Sequence, residues 1–202
     1  MLLPIVQVGD PVLRQTARPL TPDEIRSDGI RKLIADMRET MYAAPGVGLA
    51  APQVGVSLQL AVMEDRAEWL KDVPMQDLAE RERRPVPFQV IINPRIIAFS
   101  SDKVEFFEGC LSLAGFSAVV PRSRTVRVEC LDENVQPKVI DASGWYARIL
   151  QHEIDHLGGN IYIDRMRSRT FTSLDNFKQF WQGKPVSSVS AELDSTPRPP
   201  RE

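Results

Sequence analysis

The chain has 202 residues, 43% of them hydrophobic and 26% charged, with a formal net charge of −2. That length and balance suit one soluble domain with a proper core, and the near-zero charge excludes recognition of nucleic acid through a basic surface. No apolar run approaches the length of a membrane span, and two cysteines, Cys110 and Cys130, are too few for a disulfide scaffold and suit a reducing compartment.

From the N-terminus, residues 1–10 are too short and too soon acidic for a secretion signal. Thr21-Pro22-Asp23-Glu24 then has the form of a helix start, with Thr as cap, Pro at the first helical position and Glu in capping-box register. Leu33, Ile34, Met37 and Met41 follow at helical spacing as core positions, and Ala44-Pro45-Gly46 stops that helix. The stretch Gly46-Val47-Gly48-Leu49-Ala50-Ala51-Pro52-Gln53-Val54-Gly55 is small and glycine-rich, which permits close approach of backbone to another group. It lacks the Gly-Lys-Ser/Thr ending of a phosphate loop and the GxGxxG spacing.

Residues 58–62 read as a strand. Residues 64–87 are charged, contain three prolines and read as an excursion with one short helical turn. A strand at 89–93 is expected to end at Pro94, with further strands at 95–99, 104–108, 117–121, 125–131 and 138–142. In the fourth of these, Val126, Val128 and Cys130 share one face, which makes Cys130 a small core residue. Such a succession of short strands indicates an antiparallel α+β arrangement and not a βαβ repeat. Ser143 is placed to cap a helix running from about Gly144 to Gly158-Gly159, with Trp145, Ile149, His152 and His156 along one stripe. Phe171, Leu174, Phe177, Phe180 and Trp181 suggest an amphipathic helix. One domain is therefore expected over 1–182, and 183–202, rich in Ser, Pro and charge, is expected to be a disordered tail whose deletion leaves turnover unchanged.

Both histidines fall in His152-Glu153-Ile154-Asp155-His156, an HExxH pentapeptide. Residues four apart share a helix face, so both imidazoles can reach one ion, with Glu153 beside them as a base for water. A hydrolytic site of this kind needs a third protein ligand. Downstream the only glutamates are Glu192 and Glu202, in the tail, and there is no third histidine. Asp164 and Asp175 remain open but fit no pattern, and Cys110 in Glu108-Gly109-Cys110-Leu111-Ser112 is the best remaining ligand, since a thiolate binds zinc or ferrous iron strongly. Glu108 reads as a residue that orients a ligand or pairs with Arg122, and Asp155 as a structural contact.

Three segments, Gly46-Val47-Gly48-Leu49-Ala50-Ala51-Pro52-Gln53, Glu108-Gly109-Cys110-Leu111-Ser112 and Gln151-His152-Glu153-Ile154-Asp155-His156-Leu157, resemble the three signature motifs of the peptide deformylase family, in the family's order. The similarity runs from about residue 5 to residue 177. Trp145-Tyr146-Ala147-Arg148 and the stretch from Asp164 to Phe171 resemble the branch that includes organellar enzymes and some bacterial ones. The resemblance implies an α+β fold in which antiparallel short-stranded sheets surround a central helix carrying HExxH. It implies removal of the formyl group from N-formylmethionine of new polypeptides, with formate released.

By the same resemblance Cys110, His152 and His156 bind one divalent ion, Fe(II) first and Zn, Ni or Co as substitutes, and Glu153 is the general base and acid. The Gln53 side-chain amide and the Leu111 backbone N–H stabilise the oxyanion. Val47, Trp145, Ile149 and the stem of Arg148 are candidates for the methionine slot, and Gly48 and Gly109 for contact with the substrate backbone. Expected partners are formylated nascent chains and, transiently, the ribosome, with no nucleic acid or membrane. The expected location is bacterial cytoplasm, or alternatively a mitochondrial or plastid matrix. The alternatives on function are an HExxH metalloprotease and a non-catalytic protein with a structural metal.

Overall fold

The structure, a computed structural model, describes residues 1–44 and 46–195. Helix α1 (Pro22–Arg26) opens with the expected capping box: the Thr21 hydroxyl accepts from the Glu24 N–H at 3.3 Å, and the Glu24 carboxylate from the Thr21 N–H at 2.8 Å. Ser27 caps α2 (Asp28–Ala43) in turn. The strands follow as β1 (Gly48–Ala50), β2 (Leu60–Asp65), β3 (Val86–Phe99), β4 (Lys103–Cys110), β5 (Leu113–Ser123), β6 (Thr125–Leu131) and β7 (Pro137–Ser143), with a short α3 (Met75–Glu80) before β3. They lead into helix α4 (Gly144–Leu157).

One antiparallel sheet has the order β1-β2-β3-β6-β7. Side chains alternate across it. Ala61, Met63, Ile91, Val126, Val128, Ile140 and Ala142 join Ala147, Ile149 and Leu150 of α4 in one core. Leu60, Val62, Val90 and Ile92 join Ile30, Ile34, Met37 and Met41 of α2 in another. The middle of β2 and β3 is therefore covered on both faces, and its sequence is nearly all apolar. A second sheet, β4-β5-β8, is completed by β8 (Thr172–Ser173). It too is covered twice, Ala118 and Val120 packing with Leu13, Ile161 and Tyr162, and Phe107 and Val119 with Val189.

Several expectations need correction. Pro94 does not end a strand: β3 runs on for 14 residues, and β5 is also long at 11. The register shifts between Ile92 and Arg95, Asn93 takes φ 51°, and its amide bonds the Leu20 N–H and C=O at 2.9 and 2.8 Å. A bulge is where a strand tolerates proline. The excursion carries more helix than one turn, a 3₁₀ segment over Ala67–Leu70 besides α3. The expected amphipathic helix over 171–181 is broken, because Thr172 and Ser173 pair with Ser117 and Phe116. A short α5 (Leu174–Asn176) and a π-helical turn (Phe177–Trp181) follow. The expected disordered tail instead contains helix α6 (Val186–Ser195), since Val189 finds a fully buried place against Phe107 and Val119. Residues 196–202 lie outside the described residues.

Helix α4 is held at both ends by glycines of positive φ. Ser143 occupies the cap position but makes no capping bond; instead the Gly144 N–H donates to Arg124 O at 2.9 Å and its φ is 56°. A Cβ there would stand 2.4 Å from Glu82 Cβ and 2.8 Å from Arg81 O. Beyond the other end, Gly159 takes φ 74°, and a Cβ there would stand 2.8 Å from Arg14 O. Left-handed glycine just past a helix is the expected C-terminal signal.

Candidate metal centre and active site

His152 and His156, one turn apart on α4, bring their ring centroids to 5.0 Å. Cys110 arrives from the end of β4, where a register shift after Glu108 turns the strand toward the helix. The ligand atoms of Cys110, His152 and His156 all lie within 4.8 Å of one another, with Sγ 3.2 Å from His156 Nε2. Asp164 and Asp175 do not belong to this group; Asp164 bonds Arg14 and the Ile161 N–H.

The donor set fits a borderline-soft divalent ion. His152 turns Nδ1 toward Glu108 Oε2 at 3.1 Å, which leaves Nε2 available to an ion, the usual arrangement for a metal-binding imidazole. His156 points Nε2 at the sulfur, and its buried Nδ1 has no partner among the described residues.

Glu108 does both things expected of it. Besides touching His152, it takes Arg122 Nε at 3.0 Å and Nη2 at 2.9 Å. Burial alone would raise this carboxyl, but the Arg122 charge and the His152 bond outweigh burial and hold it well below the usual carboxylate range. Asp155 is structural as expected, pairing with Arg122 and, at 2.7 Å, with Arg165.

Glu153 is 4% exposed and its Oε2 has no partner among the described residues. Burial pushes this carboxyl up to about 7, a value that suits proton transfer in either direction near neutral pH. Gln53 sits in the 3₁₀ turn Ala51–Val54 after β1. Its Oε1 accepts from the Ala50 N–H at 2.8 Å, and this fixes the amide so that Nε2 donates toward Cys110 Sγ at 3.4 Å and Ser112 Oγ at 3.3 Å.

Cys110, His152, Glu153 and Glu108 border a cleft of about 520 Å³. Val47, Gly48, Gly109, Leu111, Trp145, Arg148 and Ile149 all line it too; Gln53 stands behind the sulfur, 1% exposed. Ile149 is also a core residue, and Val47 and Trp145 pack on the same core, so slot and core roles coincide. Sequence reasoning missed Phe107, Leu113, Phe116 and Leu174 of the same cleft. Phe116 stacks on Phe171 at 5.1 Å, with 7° between the rings. The usable signal was proximity: three of the four lie in the hairpin that carries Cys110.

Residues 2–172 match the family model described as polypeptide deformylase. The chain is 49% identical over 172 residues to "Peptide deformylase 1A, chloroplastic/mitochondrial" of Arabidopsis thaliana, covering 85% of this chain and 64% of that protein. It is 45% identical over 191 residues to "Peptide deformylase 3" of Streptomyces avermitilis, covering 95% and 83%. It therefore spans less than two thirds of the plant relative. Among solved structures it resembles the class I type b peptide deformylase of Acinetobacter baumannii bound to Met-Ala-Ser, with TM-score 0.73 and 31% identity over 82% of this chain and 99% of that one.

Proposed function

The chain belongs to the polypeptide deformylase family, and from that membership we propose that it hydrolyses the formyl amide of N-formylmethionine at the start of new polypeptides, releasing formate. One observation carries the reading: Cys110 and His152 of the Cys110-His152-His156 cluster line one apolar cleft together with Glu153, whose Oε2 has no partner among the described residues.

Cys110, His152 and His156 would hold one divalent ion, Fe(II) in our reading, with zinc, nickel or cobalt as substitutes that the same donors accept. When bound, the ion supplies a Lewis acid that readies water for attack near neutral pH. Glu153 takes a proton at Oε2 and returns it to the departing amine. Gln53 Nε2 and the Leu111 N–H are the donors for negative charge developing on the formyl oxygen. The methionine side chain enters the slot of Val47, Trp145, Ile149 and the Arg148 stem, while the peptide backbone passes Gly48 and Gly109. The Met-Ala-Ser held by the Acinetobacter relative is what formyl-Met-Ala-Ser leaves after deformylation.

Nascent formylated chains are the partners this implies, met during transient association with the ribosome, without binding of nucleic acid or membrane. Among the described residues no helix is long and apolar enough to cross a membrane. The relatives include an organellar and a bacterial protein, and we assign this chain to bacterial cytoplasm, with an organelle matrix as the alternative.

The test is formate release from formyl-Met-Ala-Ser by protein prepared without oxygen and loaded with Fe(II) or Ni(II), alongside Glu153→Ala. Rapid turnover by the parent and near-silence in the variant is the expected result. A folded, metal-loaded but inactive parent overturns the reading, and cleavage of unformylated internal peptide bonds would favour a general metalloprotease.

A further inference from the structure

Arg148 was expected to lend its aliphatic stem to the substrate slot. Arg148 lines the cleft, but its guanidinium is engaged by protein groups and its side chain is 3% exposed. Nη1 donates to Glu108 Oε1 at 2.5 Å and to Val120 O at 2.9 Å, and Nη2 donates to Val104 O at 2.7 Å. Its plane also lies over the Phe106 ring, 5.2 Å from the centroid. A wall needs no charge, and a buried cation is costly unless it is hydrogen-bonded and paired.

Glu108 is where these bonds converge. Arg122, from β5, engages both carboxylate oxygens. Arg148 adds a donor to Oε1, and His152 meets Oε2 at 3.1 Å. Arg148 and His152 are four residues apart on α4, so one helix face grips both oxygens of a carboxylate that belongs to β4. The terminal torsion of a glutamate is broad and soft. Tying Oε1 to the same helix that carries His152 makes the carboxylate and the imidazole move together. Planar guanidinium geometry gives direction to that tie, which a lysine ammonium supplies only in part.

We propose that Arg148 is a positioning residue of the metal centre: through Glu108 it sets the ring orientation of His152, and hence how the ion is held. This rests on the reading that Cys110, His152 and His156 bind an ion.

The experiment uses full-length protein loaded with Co(II), whose visible absorption reports ligand geometry. Parent, Arg148→Met and Arg148→Lys are compared for that spectrum, for the rate of Co(II) loss to a chelator, and for kcat and KM on formyl-Met-Ala-Ser. Methionine keeps an unbranched apolar stem and removes the donors. The expected result for Arg148→Met is a shifted spectrum, Co(II) loss roughly 10–100-fold faster, a lower kcat and a nearly unchanged KM, with partial recovery in Arg148→Lys. A changed KM with unaltered spectrum and Co(II) loss would make Arg148 only a wall of the slot and overturn the proposal. If Arg148→Met fails to fold, Arg148→Lys and Arg148→Gln are compared on the same readouts, and equal spectra and release rates in parent and both variants overturn it. A parent that takes up no Co(II), or takes it up equally well as Cys110→Ala, overturns the metal reading itself.

Discussion

Gly48 and Glu153 stand in contact across the cleft: a Cβ added to Gly48 would lie 2.2 Å from Glu153 Oε1, 2.6 Å from Cδ and 2.9 Å from Cγ. The absence of a side chain at Gly48 thus leaves room for the carboxylate that we propose to be catalytic. Gly48→Ala must push the whole end of Glu153 aside. Misplacing a catalytic group by about 1 Å can cost about 100-fold in rate. We expect kcat to fall by about that factor while the metal content and melting temperature stay near the parent's. Steady-state kinetics with a metal assay and a melting curve check this.

Gln53 joins a structural bond to the oxyanion role proposed for it. Replacing it with alanine removes the Nε2 donor from the site and leaves the buried Ala50 N–H without its side-chain acceptor. Loss of one oxyanion donor typically lowers kcat by about 10²–10³, and an unsatisfied buried donor costs about 1–3 kcal/mol. Gln53→Ala should therefore be both slow and less stable, unlike Gly48→Ala. Turnover measured beside urea unfolding separates the two effects.

The C-terminal helix reaches the cleft through a single layer. Val189 is fully buried against Phe107, and Phe107 lines the cleft. Deleting 183–202, which composition alone suggests is harmless, should raise KM for formyl-Met-Ala-Ser and lower the melting temperature. Burial of a valine side chain is worth about 1.5–3 kcal/mol, and each kcal/mol is worth about 2–4 °C in a chain of this size, so a drop of at least about 3 °C is expected. Unchanged KM and melting temperature in the truncated protein would refute this link.

Glu24 makes stability depend on pH in a defined direction. Hydrogen bonds from Arg18 and from the Thr21 N–H pull its carboxyl down to about 2, against about 4.3 in an unfolded chain. Between those values the unfolded chain binds more protons, so this contribution is present above about 4.3 and is lost as pH falls toward 2. Glu24→Gln should be less stable than the parent at pH 6, with the gap closing on acidification. Urea midpoints at pH 6, 4 and 3 measure it.

The histidine pair was legible because it rests on local periodicity: four-residue spacing puts His152 and His156 on one face whatever the rest of the fold does. The Thr21 capping box was legible for the same reason. Pro94 misled because a proline ends a strand unless a bulge absorbs it, and that bulge depends on Asn93 reaching Leu20, 73 residues away. Residues 183–195 misled because Ser-rich composition says nothing about a hydrophobic seat waiting on β4 and β5. Arg148 was seen as a stem because a helical wheel shows which face a residue takes but not which carboxylate of another strand its charge will meet.

The two glycines at the ends of α4 bear on evolution of the chain as well as on its geometry. Neighbouring backbone abuts both, that of Arg81 and Glu82 at Gly144 and that of Arg14 at Gly159. An α-helix turns about 100° per residue, so a slip of α4 by one position would swing both imidazoles away from Cys110. Two segments distant in the chain therefore act as end stops on the helix. The length of the charged excursion over residues 64–87 is constrained at the point where it meets Gly144. Insertions there should be tolerated between Lys71 and Met75, on the other side of α3 from that stop, and not between Arg81 and Arg83.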